Sequence, residues 1–176
     1  MKRSLAILVS LLCAACGGSF SSPEAVFEAA KKTVEAKDWK GFYACVDPEK
    51  THEMLVGALF MASFSVMQDK DGQKQVEEIG KRHGCDLSSG PGAPKGDPKE
   101  ILKGVKDPAA FFTDLMTFAD SKSKPGDKTH LAVSGQLSDV KIEGDRATGS
   151  MTKKDGKKDT MHFARRGGSW YLSPWK

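Results

Sequence analysis

The spacing of apolar residues changes once along this chain, and that change sets what it can fold into. Up to Ala119 they recur at the three- and four-residue spacing of helices, and from Leu131 they alternate. Helices followed by strands predict an α+β domain, with no β–α alternation to build a parallel sheet. The turns between strands then test register, because facing residues must share a sheet face. A two-residue turn at Gly144-Asp145 pairs Ile142 with Ala147 and Val140 with Gly149. One at Gly167-Gly168 pairs Arg165 with Trp170 and Phe163 with Leu172. Between them, a two-residue turn at Asp155-Gly156 would set Met151 against Thr160 and mix the faces. A three-residue loop, Asp155 to Lys157, sets Met151 against Met161 and is the expected connection. One face then carries Val140, Ile142, Ala147, Gly149, Met151, Met161, Phe163, Trp170 and Leu172. The other carries Lys141, Arg146, Thr148, Ser150, Thr160, His162 and Tyr171. The first should pack on helices, and the second should meet water or a partner. Gly149 has no side chain to pack and should mark a bend.

The helical part is punctuated by capping signals. Ser22-Pro23-Glu24 reads as N-cap, first-turn proline and first-turn acid, ahead of Val26, Phe27, Ala30 and Val34 at helical spacing. Asp38 can cap a short helix carrying Trp39, Phe42 and Val46, and Asp47-Pro48-Glu49 repeats the signal. Met54 to Met67 is nearly all apolar and reads as a helix buried on most sides. Gly72 to His83 is a more polar helix that should close at Gly84. Leu87 to Pro98 is a glycine- and proline-rich loop, and Asp107-Pro108 opens a helix bearing Phe111, Phe112, Leu115 and Phe118. Ser121 to Lys128 is a second loop.

The first residues belong to a different kind of segment. Lys2 and Arg3 precede an apolar run, Leu5 to Leu12, and then the small residues Cys13-Ala14-Ala15. That is the layout of a signal peptide, and the run is too short to span a bilayer. Leu12-Cys13-Ala14-Ala15-Cys16-Gly17 resembles a lipobox, in which small residues precede a lipid-bearing cysteine. It departs from that pattern at Cys13, where leucine is usual. The resemblance implies cleavage before Cys16 and acylation of Cys16, with attachment to a membrane, the outer membrane by preference. Cleavage after Ala15 without lipid, giving a secreted or periplasmic protein, is the alternative. Two or more acyl chains anchor stably, at about 0.8 kcal/mol per buried CH₂.

The expected organisation is therefore a leader over residues 1–15, a lipidated Cys16 with a tether over 16–22, and one domain over 23–176. Removing the first 15 of 176 residues leaves 161, enough for one real core. Lys plus Arg falls from 27 to 25 against 23 acids, so the net charge drops from +4 to +2. Nothing in that balance points to nucleic acid. Gly17 to Ser22 as a flexible tether spans roughly 13 Å, from about 5–6 Å times √n, which would hold the domain against the membrane.

The N-terminal helical pair from Pro23-Glu24-Ala25-Val26 to Trp39, the Asp139-to-Asp145 hairpin and the closing Gly168-Ser169-Trp170-Tyr171-Leu172 resemble the NTF2-like (cystatin-like) superfamily. The chain also resembles small lipoproteins of planctomycete-type bacteria. The resemblance implies a cone of helices cupped by a curved antiparallel meander. The segments cover the two ends of the mature chain, and the helices between Pro48 and Ala119 are longer than is usual there. Members include enzymes, binding proteins and adaptors, so fold alone does not assign a role.

Chemical motifs are sparse. Enzymes of that superfamily use a pocket Asp with Tyr or His, and no such motif can be placed here. His162 and Tyr171 share a face on adjacent strands, but it is the face away from the core, whereas a general base needs an enclosed site. His83 and Cys85 are two metal-ligand types where a structural zinc site needs four, and Cys45, His52 and His130 are scattered. His83 reads instead as a helix C-terminus. No phosphate loop or nucleophile elbow is present. No catalytic residue, metal or cofactor is therefore assigned. Cys45 and Cys85 could form a disulfide outside the cytoplasm, or stay as two buried thiols. The basic stretch Lys153 to Lys158 is a solvated turn that could also touch an anionic bilayer. Arg165 opposite Trp170 suits a cation–π pair. Phe27, Phe60, Met61, Phe64, Phe112, Met151, Phe163 and Trp170 would be core, or would line an apolar pocket if the sheet cups them loosely.

The expectation is a membrane-anchored envelope lipoprotein with a non-catalytic domain that binds an apolar small ligand or an envelope protein. The alternatives are a small isomerase- or dehydratase-type enzyme with a pocket between helices and sheet, and a structural protein that dimerises.

Overall fold

The computed structural model describes residues 19–85, 87, 102–123, 133–153 and 156–173. The expected leader over 1–15, Cys16, residues 88–98, most of the expected loop over 121–128, His130, Lys154 and Asp155 lie outside the described residues. Among the described residues the helices are α1 (Pro23–Glu35), α2 (Trp39–Ala44), α3 (Thr51–Ser65), α4 (Lys70–Arg82) and α5 (Pro108–Lys122). The strands follow as β1 (Gln136–Glu143), β2 (Arg146–Thr152), β3 (Lys158–Arg166) and β4 (Ser169–Leu172). They form an antiparallel meander in the order β1-β2-β3-β4, which does not close into a barrel. The architecture is α+β, with helices first and sheet last. No helix among the described residues is long and apolar enough to cross a membrane.

The helices begin where a side chain can satisfy the first backbone donors. Ser22 Oγ accepts the Ala25 N–H at 3.2 Å, Asp38 the Gly41 N–H at 2.9 Å and Asp107 the Ala110 N–H at 3.0 Å. Asp69 does the same for α4, accepting from Gly72 at 3.0 Å. α3 has no side-chain cap and runs on from a 3-10 turn, Pro48–Lys50, which Asp47 caps through the Glu49 N–H. α4 ends in a Schellman closure. Cys85 N–H donates to Gly80 O, Gly84 N–H donates to Lys81 O, and Gly84 takes φ +80°.

The hairpin registers at both ends of the sheet agree with expectation: Ile142 faces Ala147, Arg165 faces Trp170 and Phe163 faces Leu172. The middle connection does not. Met151 faces Asp159, and Met161 faces Gly149, so five residues separate β2 from β3 where three were expected. The shift is two residues, which leaves every side chain on its expected face. It is favoured by volume. Small Ala147 and Gly149 on β2 stand opposite Phe163 and Met161 on β3, whereas the expected register would set methionine against methionine.

β1 carries a bulge. Register slips between Ser138 and Lys141, so Asp139 and Val140 together face Gly149, and Asp139 takes φ +53°. The slip turns Leu137 inward, opposite Met151. A methyl group on Gly149 would lie 2.7 Å from Leu137 Cδ1, so this glycine makes room for Leu137.

One apolar core joins the layers, with Phe27, Phe111, Phe112, Leu115 and Met151 all fully buried in it. Two expectations about it are corrected. α3 is not buried on most sides: Met54, Leu55, Ala58, Leu59 and Ala62 face inward, while Phe60 and Phe64 are 56% and 64% exposed. Ile142, on the inner face of the sheet, is also exposed, because β1 is the edge strand furthest from β4.

The outer edge of β4 is covered by two other parts of the chain. Leu172 N–H donates to Cys45 O at 2.8 Å and Asp47 N–H to Leu172 O at 2.7 Å. At the other end, Trp170 N–H donates to Phe20 O at 2.9 Å and Phe20 N–H to Ser169 Oγ at 2.8 Å. An unpaired strand edge is thereby closed, and Phe20 becomes part of the fold.

Candidate functional site

The eight apolar residues expected to form core or line a pocket separate into two groups. Phe27, Phe112, Met151, Phe163 and Trp170 are buried members of the central core, and Met61 is half-buried against it. Phe60 and Phe64 point away from that core, their rings stacked on each other at 6.1 Å. The structure therefore does not bring the eight together.

Cys45 and Cys85 are each buried with a free thiol in this structure. Cys45 ends α2, where its Sγ–H donates to Gly41 O at 3.4 Å, and Cys85 follows the closure of α4. Burial, with the nearby Asp38 carboxylate adding to it, pushes the Cys45 thiol up to about 11. A thiol in that state is a small apolar filler, not a nucleophile.

His83 caps the C-terminus of α4, and its Nε2 lies 3.0 Å from Asp114 Oδ2 on α5. Arg82 reaches the same oxygen at 3.3 Å, and the His83 ring tilts against Phe111. The trio ties α4 to α5. No cluster of three metal-binding side chains occurs among the described residues. His162 and Tyr171 are half-buried on the sheet face away from the core, opposite Thr148 and Ala164 respectively. Arg165 lies 6.0 Å from the Trp170 ring centroid, as its cross-strand position predicts.

One polar pairing gave no sequence signal, although Asp47 itself reads as a cap. Asp47 is fully buried and receives Arg166 through two hydrogen bonds, Nε at 3.3 Å and Nη2 at 3.1 Å. Glu49 joins from the rim. The Asp47 hydrogen bond holds the Arg166 guanidinium above its ordinary range. The residues are 119 positions apart, and the pair fastens the end of β3 to the entry of α3. Its role is mechanical.

Two surfaces remain. A shallow groove of about 670 Å³ runs between α4 and α5, with Ile79 and Phe118 in its floor and Gln75, Glu78, Lys81 and Arg82 around it. The other is the outward face of α3. The N-terminus adds a geometric constraint, because Phe20 is fixed to β4 and only Gly17, Gly18 and Ser19 separate it from Cys16. The chain matches none of the known protein families, curated proteins or solved structures with which it was compared.

Proposed function

We propose that this chain is an exported lipoprotein of the cell envelope, acylated on Cys16, whose α+β domain binds an apolar small ligand or an envelope protein without catalysis. One observation carries the proposal beyond the leader sequence: Phe20 is hydrogen-bonded into β4. Four Cα–Cα steps from Cys16 to Phe20 reach at most roughly 14 Å, at about 3.3–3.6 Å per residue. Acylation there would hold the domain against the lipid. The non-catalytic part is supported by His162 and Tyr171 facing away from the core. The order of helices and meander suits the NTF2-like superfamily, to which we assign the domain as part of the same proposal.

Mass spectrometry of the chain extracted from membranes of an expressing bacterium is the test. The expected N-terminal peptide starts at Cys16 and carries acyl groups, and Cys16→Ser should move the protein to the soluble fraction. An unmodified peptide starting at Cys16, recovered without membranes, would show plain secretion instead.

A further inference from the structure

α3 is largely apolar, yet the fold uses only one side of it. Gly57, Phe60 and Phe64 lie on its outward face at helical spacing, behind Glu53 in the first turn, and Met67 follows just past the helix end. Phe60, Phe64 and Met67 are 56%, 64% and 50% exposed, and a methyl group added at Gly57 would meet nothing within 4 Å. Taking a large side chain as about 150–250 Å², the stripe offers on the order of 300 Å² of apolar surface. A stable protein–protein interface needs about 800 Å² from each partner, so a second copy is poorly served by it. A lipid surface sets no such minimum for a domain already confined there, because confinement raises the effective concentration.

The exit point of the chain says which part of the molecule the anchor would hold near the lipid. Phe20 is held by Ser169, Ser169 pairs with Arg166 across the β3–β4 hairpin, and Arg166 holds Asp47 and Glu49. α3 starts at Thr51, two residues beyond Glu49. The tether and the first turn of α3 thus lie at the same end of the molecule. From there α3 extends about 22 Å, at 1.5 Å per residue. Lys50 at its start pairs with Glu53, so the charges there are balanced and the contact with lipid is an apolar one.

We propose that α3 lies flat on the bilayer that holds Cys16, with Phe60, Phe64 and Met67 in the boundary between headgroups and acyl chains. This rests on the acylated-Cys16 reading. The test uses the full chain, processed in a bacterium and reconstituted into vesicles of phosphatidylethanolamine with phosphatidylglycerol, with and without brominated acyl chains. Phe64→Trp is the probe, in a Trp175→Phe background, since Trp39 and Trp170 are buried. Met67→Trp is a second probe, and Thr148→Trp on the exposed sheet face is the control. Trp at 64 or 67 should lose about twofold or more of its emission to bromine, as a ring about 5–10 Å into the boundary would, and Trp at 148 should not.

The mass of the same sample separates the two readings. Acyl groups on Cys16 with no quenching at 64 or 67 overturn the docking and leave the anchor standing. An unmodified Cys16 overturns the anchor and the docking with it. Absent quenching together with a dimer that Phe60→Ala/Phe64→Ala dissolves would assign the stripe to a second copy and overturn the proposal.

Discussion

α3 and α5 are helices of the same length, 15 residues, packed on each other and rich in phenylalanine. They treat that phenylalanine in opposite ways. In α5, Phe111, Phe112 and Phe118 are all buried, while in α3 both phenylalanines are exposed and Met54, Leu55 and Leu59 do the packing. Composition does not distinguish the two helices, but position does. α5 is flanked by α2, α3 and α4, and α3 lies on the outside of that stack. Buried aromatic surface in one helix and unused aromatic surface in the other therefore call for different explanations, stability for the first and contact with something else for the second.

The contrast predicts its largest effect at Phe112. Its ring stacks with Phe42 at 6.2 Å and leans on Tyr43 at 5.7 Å, and it has no exposed surface. Phe112→Ala removes a ring from a close-packed site and should cost about 3–5 kcal/mol in urea unfolding. A loss well under 1 kcal/mol would mean that α5 is not the centre of the core, and the comparison would collapse.

A smaller effect is expected where the sheet is fastened to the start of α3. Arg166→Ala leaves the Asp47 carboxylate buried without its cation, a change that can cost about 3–5 kcal/mol for a fully enclosed pair. Arg166 is 41% exposed, so solvent can replace part of what it supplies, and about 1–2 kcal/mol is the expected loss. Arg166→Lys should recover little of it, because a single ammonium cannot make both bonds of the guanidinium. Full recovery in the lysine variant would show that charge alone matters there.

The pair also marks where sequence reading stops. Ser22, Asp38 and Asp107 were legible as caps because each acts on a donor three residues ahead. The hairpins at Gly144 and Gly167 were legible for the same reason, since a tight turn sets its own register. The β2–β3 connection came out two residues off because alternation repeats every two residues and cannot tell one such register from the next. The Asp139 bulge left no trace either, and Gly149 hinted only at a bend, not at the Leu137 that fills its place. The outward face of α3 left little to read: past Glu53 the helix is apolar nearly all round, with no clear stripe to mark its buried side. Asp47 was legible only as a cap, and its pairing with Arg166 had no local signal, the two being joined only by the fold. The fixing of Phe20 against β4 left no sequence signal either.

Acid stability should sharpen the picture at the entry to α4. The Gly72 N–H and then Lys122 hold the Asp69 carboxyl below its usual range. A carboxylate favoured in the folded state stabilises above its unfolded pKa of about 3.9, and that contribution is lost as pH falls through the lower folded value. Asp69→Asn keeps a capping oxygen but no charge. Its urea midpoint should fall less steeply below about pH 4 than that of the native chain. Parallel curves would remove Asp69 from the acid response.

The smallest effect belongs to the exposed face of α3. Phe60→Ala/Phe64→Ala removes a stacked pair four residues apart, worth about 0.2–0.5 kcal/mol on a helix. Alanine returns a similar amount through its higher helix propensity, up to about 0.7 kcal/mol per residue. The two terms nearly cancel, so the urea midpoint of the double variant in detergent-free solution should stay within about 0.5 kcal/mol of the native value. A loss approaching that of Phe112→Ala would mean that these rings are covered in solution by another part of the chain. The two helices would then differ in nothing but which neighbour buries them, and α3 would have no face left for a membrane.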